Sequence, residues 1–166
     1  MGGTDWFRIR AVGVERLLDV SGVGRASFYR HFTSKDDLVE TVLSARDRQW
    51  RQALADGVAG RGGHPLAVFD FLAERFARAD YRGCAFIDAM AEVGDADAAV
   101  YQLARAHKAA VTGYLAGLLE EAGHAPSEPL AAQLMLLVDG ALVTALRERS
   151  AEPARRAKAI ATALLG

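Results

Sequence analysis

Residues 21–38 read SGVGRASFYRHFTSKDDL, and this stretch decides the fold of the first part of the chain. Just upstream, Val14, Leu17 and Leu18 follow the i, i+3, i+4 spacing that predicts a short helix over 13–20. Gly22 supplies a turn, and a second short helix is predicted over 24–31. Two short helices joined by a glycine turn are typical of a helix-turn-helix, whose second helix enters the major groove of DNA.

The second predicted helix has an apolar side that suits packing against the first. Phe28 and Phe32 lie four residues apart and can face inward with Leu17, Leu18 and Val23. The first helix would therefore brace the second through these side chains.

The other side of this helix carries residues that suit contact with DNA. Gly24 and Ala26 are small, which lets the helix approach the bases closely. Arg25 can contact guanine through two hydrogen bonds. Ser27, Tyr29 and His31 can donate hydrogen bonds to phosphates. Such contacts fix the register of the protein on DNA without reading its sequence.

Lys35 is predicted at the first position of a third helix, after an N-cap at Ser34. The pattern Ser34-x-x-Asp37 resembles a capping box. A cation at this position is disfavoured by the helix dipole, but a phosphate docked at the helix start would offset that cost. The alternative is a solvated surface lysine.

The segment SGVGRASFYRHFTSKDDLVETVL, residues 21–43, resembles the DNA-binding signature of the TetR family of transcriptional regulators. The motif positions are occupied by Tyr29, His31, Phe32, Lys35 and Leu38. The resemblance implies that Arg25, Ala26 and Tyr29 approach bases, whereas Ser27, His31 and Lys35 grip phosphates. The full predicted set of DNA-binding residues is Gly24, Arg25, Ala26, Ser27, Tyr29, Arg30, His31 and Lys35.

The resemblance also implies a ligand-responsive regulator, a repressor, that binds double-stranded operator DNA as a homodimer. The family fold places a further helix before the pair, but here RAVGVERLL, residues 10–18, already belongs to the second family helix. Trp6, Phe7 and Ile9 would substitute for that helix only in part. We therefore expect a less stable DNA-binding head. The alternative is a TetR-like dimeric ligand-binding protein that has lost DNA binding with its first helix.

Helical spacing continues along the rest of the chain, and no period-two strand pattern occurs. Further helices are predicted over 34–56, 66–79, 84–93, from a cap at Asp95 or Asp97 to Gly123, then 130–147 and 153–164. The glycine-rich stretch 56–65 is predicted to be a flexible loop. The fold class is all-α, with a helix-turn-helix domain over 1–50 and a helical regulatory and dimerisation domain over 51–166.

The predicted helix over 130–147 is apolar nearly all round, which indicates burial on more than one side. One interpretation is a homodimer interface through 130–164, in which Gly140, Ala141 and Ala145 allow close helix approach. The other is a central core helix of a monomer.

A small apolar or amphipathic effector would need an apolar cleft with a few polar groups. Phe69, Leu72 and Phe76 share one predicted helix face, and His107 and Tyr114 share another. Aromatic residues at helical spacing also form ordinary cores, so that interpretation stays open. The complete predicted pocket set is Phe69, Leu72, Phe76, Phe86, Met90, Tyr101, His107 and Tyr114.

Charge and composition narrow the function classes. The net charge is −1, yet residues 1–51 carry +2 and residues 52–166 carry −3. A basic head on an acidic body keeps phosphate attraction local. The single cysteine, Cys84, excludes an internal disulfide framework and a cysteine-cluster metal site.

Neither catalysis nor a membrane is predicted. The four histidines are scattered, and no nucleophile motif or metal-ligand spacing occurs, so we expect no enzymatic activity, cofactor or metal. The first residues lack an apolar signal-peptide core, and no segment is expected to be long and apolar enough to span a bilayer. The expected location is the cytoplasm.

Overall fold

The structure, a computed structural model, describes residues 13–93 and 99–166. Within these ranges it has eight helices and no strand, which confirms the all-α fold with an N-terminal helix-turn-helix and a helical body. The helices are α1 (Val14–Ser21), α2 (Arg25–His31), α3 (Lys35–Ala59), α4 (Ala67–Phe76), α5 (Ala85–Glu92), α6 (Ala99–Glu121), α7 (Ser127–Glu148) and α8 (Glu152–Leu165).

The chain divides into two compact units. The first takes in the residues up to Asp47 together with Ala85–Arg105. The second consists of Arg48–Cys84 and Ala106–Gly166. The N-terminal helices are thus grouped with α5 and the start of α6, which helical periodicity alone does not predict. The domain boundary proposed between residues 50 and 51 stays a prediction.

The first unit has a small set of buried side chains. Phe28 on α2 and Leu43 on α3 are buried, as are Phe86 on α5 and Val100 on α6. These side chains form the small apolar centre of the unit.

The second unit is built around α4, α7 and α8, which pack against one another. Leu72 on α4 and Leu134 on α7 are fully buried in its core. Two half-exposed ion pairs tie helices together at its edge. Lys158 on α8 donates to both carboxylate oxygens of Asp70 on α4 at 2.7 Å, and Lys108 on α6 pairs with Asp139 on α7.

The loop expected over 56–65 is shorter and more ordered than the glycine content indicates. Helix α3 continues to Ala59, and the amides of Gly60 and Gly63 donate to the carbonyls of Asp56 and Val58. Gly57 lies inside the helix, where a Cβ would overlap the buried ring of Phe71. This overlap explains why the position is a glycine. A glycine that signals a break in the sequence is here a packing requirement.

Helix α7 begins earlier than expected. The helix was predicted from residue 130, but it begins at Ser127. Pro126 is the N-cap and Pro129 lies in the first turn, where a missing amide hydrogen is tolerated.

The expectation that no segment is long and apolar enough to span a bilayer was wrong by length and composition. Helix α7 has 22 residues, and its most apolar 18-residue window has a mean hydropathy of 1.7. Its buried residues, among them Leu134 and Val138, belong to the core of the second unit. This packing is typical of a core helix, which passes the same test of length and composition.

Three predicted orientations were also wrong. Val23, expected to face inward, is 43% exposed. Ala141 and Ala145, expected at a dimer interface, are buried in the core of their own chain. Helical spacing shows which residues share a face, but not which neighbour that face meets. The predicted roles of Trp6, Phe7 and Ile9, and the predicted cap at Asp95 or Asp97, lie outside the described residues.

Candidate nucleic-acid interface

The turn between α1 and α2 depends on Gly22. This residue has a φ of 68°, in the left-handed region that favours glycine, and its amide donates to the carbonyl of Leu18 at 2.9 Å. The Ser21 hydroxyl then accepts from the amide of Val23 at 3.3 Å. Gly24 is extended and caps α2, since its carbonyl accepts from the amides of Ser27 and Phe28. The chain therefore leaves α1 after Ser21 and begins a new helix at Arg25, three residues later.

Helix α2 is anchored by one side chain. Phe28 is the buried residue of this helix, and its ring lies 5.4 Å from that of Phe32. Tyr29 packs edge-on against Phe28, with ring centroids 5.2 Å apart, yet remains 49% exposed. The aromatic ring of Tyr29 is thus held in place while much of the side chain faces solvent.

The predicted DNA-binding residues form an accessible surface on and around α2. Arg25, Ala26, Arg30 and His31 are exposed, as is Gly24 at the helix start. No heavy atom lies within 4 Å of the position that a Cβ of Gly24 would take. Ser27 is half-buried. The start of α2 is therefore open to a close partner.

Arg25 has a partner that the sequence did not predict. Its guanidinium lies 3.3 Å from the carboxylate of Glu15 on α1, and the two side chains are 67% and 78% exposed. The two residues lie ten positions apart on different helices, so no local spacing rule identifies the pair. An ion pair this exposed contributes little energy, and a base edge or a phosphate can replace Glu15.

The start of α3 confirms the predicted cap at Ser34. The Ser34 hydroxyl accepts from the amide of Asp37 at 3.1 Å. The Asp37 carboxylate accepts in return from Thr33, from its amide at 2.8 Å and its hydroxyl at 3.1 Å. In a standard capping box the return bond goes to the capping residue itself, so the reciprocal contact is here displaced by one residue. Lys35 follows the cap as the first residue of the helix and is half-buried.

The predicted pocket residues of the second unit are mostly core. Phe69, Leu72 and Phe76 belong to the buried cluster around α4. His107 is buried, with its ring 5.4 Å from that of Trp50. Tyr114 is half-buried, and burial, followed by the charge of Glu121, raises the pKa of its hydroxyl.

The other three predicted pocket residues belong to the first unit. Phe86 is buried and Met90 is half-buried. The Tyr101 hydroxyl donates to the carbonyl of Met90 at 3.1 Å, which ties α5 to α6.

The second unit contains a cavity of about 820 Å³ at the ends of α4 and α7, and this cavity is open to solvent. Of the eight predicted pocket residues, Phe76 lines it. Most of its wall comes from two connecting segments, in which helical periodicity carries no signal. The lining residues are Phe76, Ala77, Arg78, Ala79, Tyr81, Arg82, Ala145, Leu146, Arg149, Ser150 and Ala151.

Metal chemistry has no support in the part of the chain that the structure describes. There, no three side chains of histidine, cysteine, aspartate or glutamate come together in a way that could hold a metal ion. Cys84 is a free, half-buried thiol.

Comparison with known proteins agrees with the geometry of the head. Residues 9–42 match the family model described as "Bacterial regulatory proteins, tetR family". The described part of that range contains α1, the glycine turn, α2 and the capped start of α3. The head of the chain is therefore similar to the DNA-binding head of tetR-family regulators.

Solved structures of TetR-family proteins resemble the chain over most of its length. The TetR-family transcriptional regulator SCO4454 from Streptomyces coelicolor is 27% identical, with a TM-score of 0.84 over 95% of this chain and 86% of that one. A putative TetR transcriptional regulator from Streptomyces avermitilis is 28% identical, with a TM-score of 0.73 over 86% and 79% of the two chains. None of the curated proteins compared matches the chain.

A more distant structure agrees in fold. The regulatory protein TetR from Rhodobacter sphaeroides is 23% identical and has a TM-score of 0.77, covering 92% of this chain and 87% of that one. TetR-family regulators carry a helix-turn-helix DNA-binding domain and are generally not enzymes.

Proposed function

We propose that the chain is a ligand-responsive transcriptional regulator, a repressor, that binds operator DNA as a homodimer through the helix-turn-helix at 13–31. The observation that carries this proposal is the accessible surface of α2 opposite Phe28. Its basic and hydroxyl-bearing residues start at an open helix N-terminus, which is the end of a recognition helix that meets base edges.

The roles of individual side chains follow from their chemistry and position. Arg25 is the base-reading residue, because its guanidinium presents two donors in the plane that guanine O6 and N7 require. Ala26 and Gly24 permit close approach to the bases. The remaining side chains bind phosphates and set the register: Ser27, Tyr29, Arg30, His31 and Lys35.

The homodimer is supported by exposed apolar side chains on the last two helices. Leu136 on α7 is 74% exposed and Ile160 on α8 is 56% exposed, and both lie within the predicted interface segment 130–164. Other large apolar side chains exposed on these helices are Val143, Leu146 and Leu164. Large apolar side chains that are exposed in number on neighbouring helices are typical of interfaces between proteins. A dimer also presents two reading heads to two half-sites of an operator.

Ligand response requires a body site that distinguishes two conformations of the protein. A ligand that moves the protein from almost fully bound to almost fully released needs about 5.5 kcal/mol of differential affinity. The cavity of about 820 Å³ in the second unit lies within the size range of small-molecule sites and supports this part of the proposal. A regulator of transcription is expected in the cytoplasm.

The decisive experiment is selection of bound duplexes from a randomised DNA library, followed by fluorescence anisotropy on the enriched sequence. We expect specific binding that weakens steeply with salt. Lys35→Ala should weaken binding to all sequences about equally, whereas Arg25→Ala should also relax base preference. Arg105→Ala is the charge-matched control, because Arg105 is exposed on α6 and lies outside both the predicted DNA-binding set and the predicted dimer interface.

Failure to enrich any sequence at low salt would contradict the proposal. It would favour the alternative of a TetR-like dimeric ligand-binding protein without DNA binding. Equal losses from Arg25→Ala and Arg105→Ala would contradict the assignment of base reading to Arg25.

A further inference from the structure

The cavity at the ends of α4 and α7 has an unusual charge distribution. Three of its lining residues are arginines, and none of them is acidic. Arg149 and Ser150 belong to the turn between α7 and α8, whereas Arg78 and Arg82 belong to the segment that follows α4. Asp80 pairs with Arg78, so the unpaired positive charge of the lining comes from the other two arginines, and such charge favours an anion.

The three arginines differ in how much of their charge is already neutralised. Arg78 donates to both carboxylate oxygens of Asp80 at 2.9 Å, so its charge is paired. Arg82 donates instead to the backbone carbonyls of Ala79 and Tyr81 at 2.9 and 2.8 Å, which positions its guanidinium without an opposing charge. Arg149 has no ion-pair partner in the described residues. Two positive charges are therefore available to a ligand.

Arg149 also has a backbone conformation that a side chain rarely adopts. Its φ of 50° is the sole positive value at a non-glycine position among the described residues, and it ends α7. Glycine would fit this conformation without steric cost. The arginine side chain therefore gives the fold no advantage at this position, whereas it does place a guanidinium at the cavity.

The rest of the wall suits the apolar part of a ligand. The rings of Phe76 and Tyr81 lie 4.9 Å apart, and Leu146 also lines the cavity. The Tyr81 hydroxyl donates to the carbonyl of Leu142 at 2.8 Å. The Ser150 hydroxyl accepts from the amide of Glu152 at 3.1 Å, so its own hydrogen remains for a ligand acceptor.

We propose that this cavity is the effector site and that it takes an amphipathic carboxylate. The carboxylate lies between Arg82 and Arg149 and accepts from the Ser150 hydroxyl, while the apolar part lies against Phe76, Tyr81 and Leu146. A guanidinium matches a carboxylate through two parallel hydrogen bonds, which gives geometric specificity as well as energy. This inference rests on the proposed ligand response for its regulatory meaning, but not for the binding itself.

Calorimetric titration with octanoate tests the site on the full chain without DNA. Octan-1-ol and octylammonium are matched probes that keep the apolar chain and change the head group. Octanoate should bind at least about tenfold more tightly than either, because the charged hydrogen bonds are lost with the other two. Absence of octanoate binding up to about 10 mM, or equal binding of octan-1-ol, would overturn the proposal.

Two variants locate the site. Arg149→Gly should lower octanoate affinity about tenfold or more while leaving Tm unchanged or higher, because glycine suits the backbone there. Arg82→Gln should lower affinity in the same direction. Arg147→Gln is the control, since Arg147 lies two residues from Arg149 and does not line the cavity. Unchanged affinity in Arg149→Gly, or an equal loss in Arg147→Gln, would refute the site.

The outcome for this site is separable from the outcome for DNA binding. Octanoate binding by a chain that binds no DNA would retain the site and contradict the proposed function. Specific DNA binding by a chain that does not bind octanoate would retain the proposed DNA-binding function and contradict the octanoate site.

Discussion

Arg25 is the residue that we propose reads bases, and in the absence of DNA it pairs with an acidic side chain. In the structure its guanidinium pairs with Glu15, and the same donors are the ones that would read guanine. The pair is largely exposed, so water and salt weaken it, and a base or phosphate can take the place of the carboxylate. Glu15 therefore holds Arg25 near the start of α2 but competes with DNA for it.

Removing the Glu15 charge should raise DNA affinity. Glu15→Gln releases the Arg25 guanidinium, and an exposed pair contributes up to about 1 kcal/mol, so the gain should be at most about fivefold. Fluorescence anisotropy on the selected duplex, at two salt concentrations, measures it. The difference should shrink as salt rises.

Asp19→Asn is the matched control for this gain. Asp19 is exposed on the same helix α1. Its substitution by asparagine removes the same charge as Glu15→Gln but does not release Arg25. A gain in Glu15→Gln that Asp19→Asn reproduces in full would mean that net charge, and not the freed arginine, causes it.

At the scale of helices, the sequence predicts which elements exist better than where they end. Each helix of the described residues was predicted from the sequence, because burial of one face leaves a period in the sequence. The end of α3 and the start of α7 were not predicted correctly. Gly57 is required by packing, and Pro126 and Pro129 lie at a helix start, which the sequence alone does not show. The same limit holds for the site: the turn, the cap and the exposed face of α2 follow from sequence, whereas the Glu15–Arg25 pair and the arginine-lined cavity join residues distant along the chain.

Gly57→Ala should destabilise the second unit, although alanine is the better helix former by about 1 kcal/mol. The added Cβ would overlap the ring of Phe71, with Cγ 3.2 Å away, and that ring is buried against Trp50. Overpacking of this kind costs about 1–3 kcal/mol, so the propensity gain is offset or exceeded. Urea unfolding measures the change.

Gly113→Ala on α6 is the control with the opposite expected sign. No heavy atom lies within 4 Å of its added Cβ, so the helix propensity should stabilise the protein by up to about 1 kcal/mol. Stabilisation by both substitutions would contradict the packing role assigned to Gly57.

The N-cap of α3 provides a second test at the scale of an element. Ser34→Ala removes the acceptor of the Asp37 amide and should lower the free energy of unfolding by about 1 kcal/mol. Ser44→Ala, within the same helix, removes a hydroxyl without removing a cap and should have a smaller effect. Equal effects of the two substitutions in urea unfolding would show that the cap contributes no more than an ordinary serine.

For the whole molecule, the question is why apolar side chains remain exposed on α7 and α8. The buried sides of these helices already form the core of the second unit, with Val138 and Ala161 fully buried. Their exposed sides carry Leu136 and Ile160, which a monomer leaves in contact with water. A symmetric dimer buries each such residue twice, once from each subunit, so a single substitution removes two contacts.

Leu136→Lys should therefore convert a dimer into a monomer at about micromolar concentration. Burial of one leucine side chain contributes about 1.5–3 kcal/mol, and loss of two such contacts should raise the dimer dissociation constant by at least about a hundredfold. Sedimentation velocity measures the shift. Val42→Lys on α3 is the control, because Val42 is 43% exposed but lies outside the predicted interface. The interface would be refuted if the wild-type chain sediments as a monomer, or if the Leu136→Lys variant remains as dimeric as Val42→Lys. Binding of one operator by two reading heads would then lack a structural basis.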